Sequence, residues 1–219
     1  MDMREQLKEA KKQQIESNKQ FIIGELRSTN RDGIEDLIKY LENDTDFFVA
    51  PASAKFHNNC EGGLAMHSMN VRELLIKKND EFKLGLSLAS INITSLTHDL
   101  CKANFYKNSM RLRKDKNNKW EAYGTYEIDE KVPLGHGEKS VMILQQFIRL
   151  SLEESLMIRW HMGLGVPKEN YKDLDNAIEL YPSVLAISTA DHESSRFKEE
   201  VYEPEIFTMD EYNALMKEK

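Results

Sequence analysis

Leu96-Thr97-His98-Asp99-Leu100-Cys101-Lys102 is the stretch on which the reading of this chain turns. A histidine and an aspartate stand side by side, with a lysine three positions after the aspartate. The residues before them, LGLSLASINITSL, are apolar enough for a largely buried helix. A buried helix does not end in adjacent ionisable groups without partners, because an unpaired buried charge is very costly. Either the two groups are exposed at the helix end or something charged sits against them. A divalent metal satisfies both, since imidazole and carboxylate are metal ligands and neighbours at a helix end can converge on one ion.

Working outward, the other histidines fall in similar places. Lys55 to Ser68 reads KFHNNCEGGLAMHS. The two glycines allow a tight turn. A helix then opens with Leu64, Val71, Leu74 and Leu75 on one face and His67 one turn in. Pro133-Leu134-Gly135-His136-Gly137-Glu138-Lys139-Ser140 lacks the spacing of a phosphate loop. It reads instead as a turn opening a helix, with His136 at its N-terminus, where an anion is also favoured. Leu152–Met162 is predicted helical, with Ser151 and Glu154 forming a capping box and Gly163 closing it beside His161. A last helix over about Leu180–Lys198, with Pro182 in its first turn, carries Asp191 behind a run of small apolar residues.

The rest of the chain frames these elements. Residues 1–20 are polar and predict a solvent-exposed helix. Ile34, Leu37, Ile38 and Leu41 have helical spacing, with Asp32 or Asn30 as cap. Asp44–Ser53 reads as a link, Lys83–Cys101 as one helix, and 164–176 as a polar loop. Between Phe105 and Val132, two alternating runs flank a polar KDKNN, which predicts a β-hairpin. From Lys102 to Trp120, Lys102, Lys107, Arg111, Arg113, Lys114, Lys116 and Lys119 stand against a single acid, Asp115. Their bland reading is a solvated surface, but Lys107, Arg111 and Arg113 leave directly from the His98-Asp99 element and are placed to meet phosphate. Tyr106, Trp120, Tyr123 and Tyr126 either stack bases or, more ordinarily, form the hairpin's own core.

Composition bounds the classes. A chain of 219 residues, 40% hydrophobic, suits one compact domain with additions. A net charge of −7 is unlike a general nucleic-acid coat. There is no apolar run of about 18 residues and no signal-peptide core, so a cytoplasmic protein without membrane contact is expected. Cys60 and Cys101 are read as small buried side chains. Ser68 and Ser109 have no triad context.

His67, His98, Asp99, His136, His161 and Asp191 are too many, on consecutive helices, for independent core residues. A helical bundle projecting them inward makes a site for one or two metals. Without a thiolate, the set suits Mn, Fe, Ni, Co or Mg at least as well as Zn.

The order H…HD…D, at His67, His98-Asp99 and Asp191, resembles the HD-domain metal-dependent phosphohydrolase superfamily. HDLCK matches the HDxxK form found there. His136 and His161 are similar to the expanded H…HD…H…H…D pattern. GGLAMHS resembles a segment of the 3′–5′ exoribonuclease-like branch, and much of the chain looks like small HD proteins of phages and Gram-positive bacteria. The likeness covers about residues 55–198. There is no separate oligonucleotide-binding barrel and no GYP signature of cyclic-dinucleotide phosphodiesterases, and the hairpin is an insertion.

The resemblance implies an all-α HD-domain bundle over 31–198, with a hairpin insertion at about 105–132. A charged helical extension precedes it at 1–30 and an acidic tail follows at 199–219. It further implies His67, His98, Asp99 and Asp191 as first-metal ligands. His136 and His161 would hold a second metal, with Asp99 bridging, or face phosphate if one metal binds. Lys102 would hold a phosphate oxygen or the attacking water, and His57 would support a ligand by a hydrogen bond. The implied activity is hydrolysis of a nucleotide phosphate ester by metal-activated water, as a nucleotidase, triphosphohydrolase or phosphodiesterase, manganese being one candidate metal. Two alternatives stand beside it: a 3′–5′ exonuclease on short single-stranded RNA or DNA, and a non-catalytic nucleotide sensor. The oligomeric state is not legible.

Overall fold

The computed structural model describes residues 3–217 as a helical fold with a small three-stranded antiparallel sheet. Helix α1 (Met3–Arg27) is exposed along its first half, as at Leu7, but buries Ile22, Ile23 and Leu26. The segment read as an extension therefore ends inside the core. Helix α2 (Ile34–Asn43) buries its four apolar positions. Neither Asn30 nor Asp32 caps it. Gly33 does, at φ 83, and no side chain bonds the first turn.

Helix α3 (Gly63–Phe82) begins at Gly62, whose φ of 78 a side chain would strain. It stops at Lys83 in the left-handed conformation. Helix α4 (Leu88–Thr97) is therefore shorter than the predicted Lys83–Cys101. Ser87 caps it, and a 3₁₀ turn, Leu100–Lys102, follows. Thr94, Ser95 and Thr97 are buried, yet each hydroxyl donates to a carbonyl one turn back, at 2.8, 2.5 and 2.5 Å. That internal satisfaction lets so polar a helix occupy the core.

Strands β1 (Tyr106–Lys114) and β2 (Trp120–Ile128) form the predicted hairpin, in register from Tyr106↔Ile128 to Lys114↔Trp120. Helices α5 (His136–Leu144) and α6 (Leu152–Arg159) follow, and α6 carries the predicted Ser151–Glu154 capping box. It ends at Trp160 rather than Gly163, which instead turns the chain three residues later at φ 53.

The predicted loop at 164–176 contains the start of a helix, α7 (Tyr171–Leu180), which packs Leu174 and Ala177. With so few apolar positions its pattern was hidden among charges. Helix α8 is Ser183–Glu193, started by Pro182 and continued by a wide π turn, Ser194–Lys198. Residues beyond it add β3 (Ile206–Phe207) to the edge of β2 and a final helix, α9 (Met209–Lys217).

Two apolar clusters make the core. One gathers α1, α2, α5 and the first turn of α3; the other gathers α7, α8 and the middle of α3. Helices α3, α4 and α6 contribute to both, and His67, His98 and His161 come from these three. No helix among the described residues is long and apolar enough to cross a membrane.

Candidate metal centre

Of the six histidines, five gather in one place; only His192, exposed on α8, lies outside. His67, His98 and His161 are fully buried, and Asp99 is 2% exposed.

Local geometry fixes how the rings face. His98 follows the last residue of α4 and donates Nδ1–H to the Ser95 carbonyl at 2.7 Å. His161, just past α6, repeats the device on the Ile158 carbonyl, also at 2.7 Å. Each ring therefore turns a bare Nε2 inward. His161 Nε2 has no hydrogen-bond partner although it is buried. His67 points its Nε2 to the same space, because its Nδ1–H is held by Glu199 Oε1 at 2.8 Å.

The carboxylates complete two adjoining sets of donors. His67 Nε2 lies 3.1 Å from Asp191 Oδ1, 3.2 Å from His98 Nε2 and 3.5 Å from Asp99 Oδ2. On the other side, Asp99 Oδ1 lies 3.0 Å from His136 Nε2 and 3.4 Å from His161 Nε2. Asp99 thus divides its two oxygens between the sets. In the trios His67–His98–Asp191 and His98–Asp99–His161, the donor atoms lie within 4.8 Å of one another. A close helix approach makes this possible: a Cβ on Gly137, next to His136, would lie 2.2 Å from the Arg159 carbonyl.

Electrostatics support the same reading. Burial opposes charge on His67, but Asp191 and Glu199 outweigh it and raise its pKa to about 10. Its Nε2 proton then sits among Asp191, Asp99 and His98, where a cation would sit. Burial lowers His98 to about 4, so it is neutral and a ready ligand. Burial works against ionised Asp99 and Asp191, yet the facing cations and imidazoles hold both well below the usual carboxylate range. Three bare or protonated imidazole nitrogens against two ionised carboxylates, with one nitrogen orphaned, fit a metal ion. Nitrogen and oxygen donors suit the borderline and hard divalent ions. These buried groups can hold a metal ion.

The other expected residues divide. Lys102 Nζ sits 2.7 Å from Asp99 Oδ2 and stays protonated, the pull of Asp99 exceeding the effect of burial. His57 supports His67 at one remove, bonding Glu199 Oε2 through Nδ1 at 2.7 Å. Arg111 and Arg113 are not brought to the centre by any described contact. They pair with Glu127 and Glu121 on the exposed hairpin, at 3.3 and 2.8 Å. Cys101 adjoins Asp99 and His136, but burial, reinforced by Asp99, pushes its thiol up to about 12, so it is protonated and a poor ligand.

Glu199 was missed by sequence reasoning. Its carboxylate is fully buried and accepts from His57, His67, Ser194 and, at 3.4 Å, Asn70. In the sequence it is one acid of an acidic tail, and only the π turn at Ser194–Lys198 returns it to the core. Comparison with family models, with curated proteins and with solved structures finds no match.

Proposed function

We propose that this chain is an HD-type metal-dependent phosphohydrolase acting on a phosphate ester of a nucleotide. The observation that carries the reading is the divided Asp99 carboxylate between two sets of imidazole nitrogens. In this reading His67, His98, Asp99 and Asp191 hold one metal, and Asp99, His136 and His161 hold the second. The metals, when bound, supply a Lewis acid and make water acidic enough to ionise near neutral pH. Lys102 offers a fixed ammonium beside Asp99, at the place where a phosphoryl oxygen gains charge. His136, whose side chain is 31% exposed, marks the side open to substrate. Glu199 holds the His67 ring in one orientation.

The test is elemental analysis of protein purified without a metal-affinity tag. Hydrolysis of bis-p-nitrophenyl phosphate and a nucleotide panel with Mn²⁺ is measured in parallel. About two metals per chain are expected, as in inward-facing carboxylate–histidine bundles. Activity should vanish in Asp99→Ala. A chain that stays free of metal and inactive after reconstitution would remove this reading.

A further inference from the structure

A concavity of about 660 Å³ opens between the hairpin, the loop at 54–61 and the tail at 201–205. None of the six candidate ligands lines it. It is nevertheless tied to the centre. Asn59, two residues after His57, accepts from the Tyr202 amide at 2.7 Å and donates to the Tyr202 carbonyl at 3.0 Å. Tyr202 is three residues after Glu199, so their Cα atoms are at most about 11 Å apart. On the sheet side, Gly124 N–H bonds the Glu205 carbonyl at 2.9 Å. The tail is thus laced to both walls. Tyr126 lines the groove, its ring 6.4 Å from that of Tyr106, which opens β1 four residues after Lys102.

The lining is chemically specific. Lys11 and Lys55 are set against Glu61, Glu203 and Glu205, and Lys11 already stands 3.8 Å from Glu61. Such a balance does not favour a chain of phosphates. Tyr126 and Tyr202 line the groove beside hydrogen-bonding Asn108 and Thr125, a mix of aromatic and neutral polar groups that suits a planar heterocycle, whereas the Tyr123 ring is already covered by Arg113 at 5.0 Å. The volume is in the range of pockets that enclose one small ligand, roughly 300–1,000 Å³.

We propose that this groove binds the nucleoside moiety of a small nucleotide, with the base against Tyr126 and the phosphate directed to Lys102 and the metal centre. The inference rests on the phosphohydrolase reading for its phosphate end, and narrows that reading to single nucleotides over long strands.

The test separates the two. Adenosine, guanosine, cytidine and uridine, which carry no phosphate, are titrated into metal-free full-length protein by calorimetry. At least one should bind saturably, with little dependence on salt. Tyr126→Ala should weaken it by about tenfold or more, the usual effect of removing a stacking ring. Asp191→Asn should lose metal yet keep nucleoside binding, so failure of the metal reading would not hide success here. A second readout needs no variant: Cys60 lines the groove while Cys101 is buried, so bound nucleoside should protect Cys60 from iodoacetamide. The proposal is overturned if no nucleoside binds or if Cys60 stays unprotected at saturation. Steeply salt-dependent binding of single-stranded oligonucleotides in preference to nucleosides would overturn it equally.

Discussion

Lys102 Nζ sits 2.7 Å from Asp99 Oδ2, the same oxygen that faces the Nε2 atoms of His67 and His98 at 3.5 Å. This ammonium is the cation nearest the buried Asp99 carboxylate. Lys102→Met leaves Asp99 buried against fewer cations, which destabilises by about 3–5 kcal/mol. Added Mn²⁺ should restore much of that loss, while hydrolysis stays down by about 10²–10³-fold. Thermal melts with and without metal, beside kcat, check both halves.

Metal binding should strengthen with pH. His67 is protonated below about 10, against an ordinary 6.5, and that proton occupies the first donor set. A cation must displace it, so affinity rises about tenfold per pH unit between pH 7 and 9, with close to one proton released. Calorimetry in two buffers of different ionisation enthalpy counts the proton. No release would show that His67 carries no proton on Nε2 before the metal binds.

Glu199→Gln should loosen metal by about 10–100-fold, the range expected when a ligand histidine loses its carboxylate partner. Equilibrium titration of metal, with circular dichroism to confirm the fold, reads it directly. An unchanged affinity would reduce Glu199 to a packing role.

Acid should weaken the chain through Glu154. Burial opposes its charge, but Arg31, at 2.7 and 3.1 Å, and the Ser151 amide hold its pKa below the ordinary 4.5. A lowered carboxylate stabilises above its unfolded value and loses that contribution as pH falls through the folded one. Glu154→Gln should therefore flatten the stability curve below about pH 4.5. Denaturant melts across that range decide it.

Gly137→Ala should cost about 1–3 kcal/mol, because its Cβ would lie 2.2 Å from the Arg159 carbonyl. It should also push His136 from His161 and lower occupancy of the second metal position before the first. Metal counts on the folded variant distinguish this from plain destabilisation.

Spacing alone carried much of this structure. His67, His98, Asp99, His136, His161 and Asp191 are close because each sits at a helix end or on a buried face, and periodicity reveals such places. The Ser151–Glu154 box was equally legible, since capping is local chemistry. What was hidden depends on distant partners. Arg111 and Arg113 looked free for phosphate until the strand register set Arg113 opposite Glu121. Helix α7 was masked by its charged exposed face. Glu199 had no pattern to betray it, because its place depends on a π turn and on rings more than a hundred residues away.

The His67–Glu199 bond joins residues 132 positions apart. During synthesis His67 emerges long before the groups that complete its surroundings. Asp191 and Glu199 follow 124 and 132 positions after His67, so the surroundings of that ring are completed only after the other histidines of the cluster have been made. A product halted at residue 190 carries the five histidines and Asp99 of the cluster without Asp191 or Glu199. The bond thus ties the chain just past α8 back to the first turns of α3, so the His67 ring keeps its orientation only while that late segment stays docked.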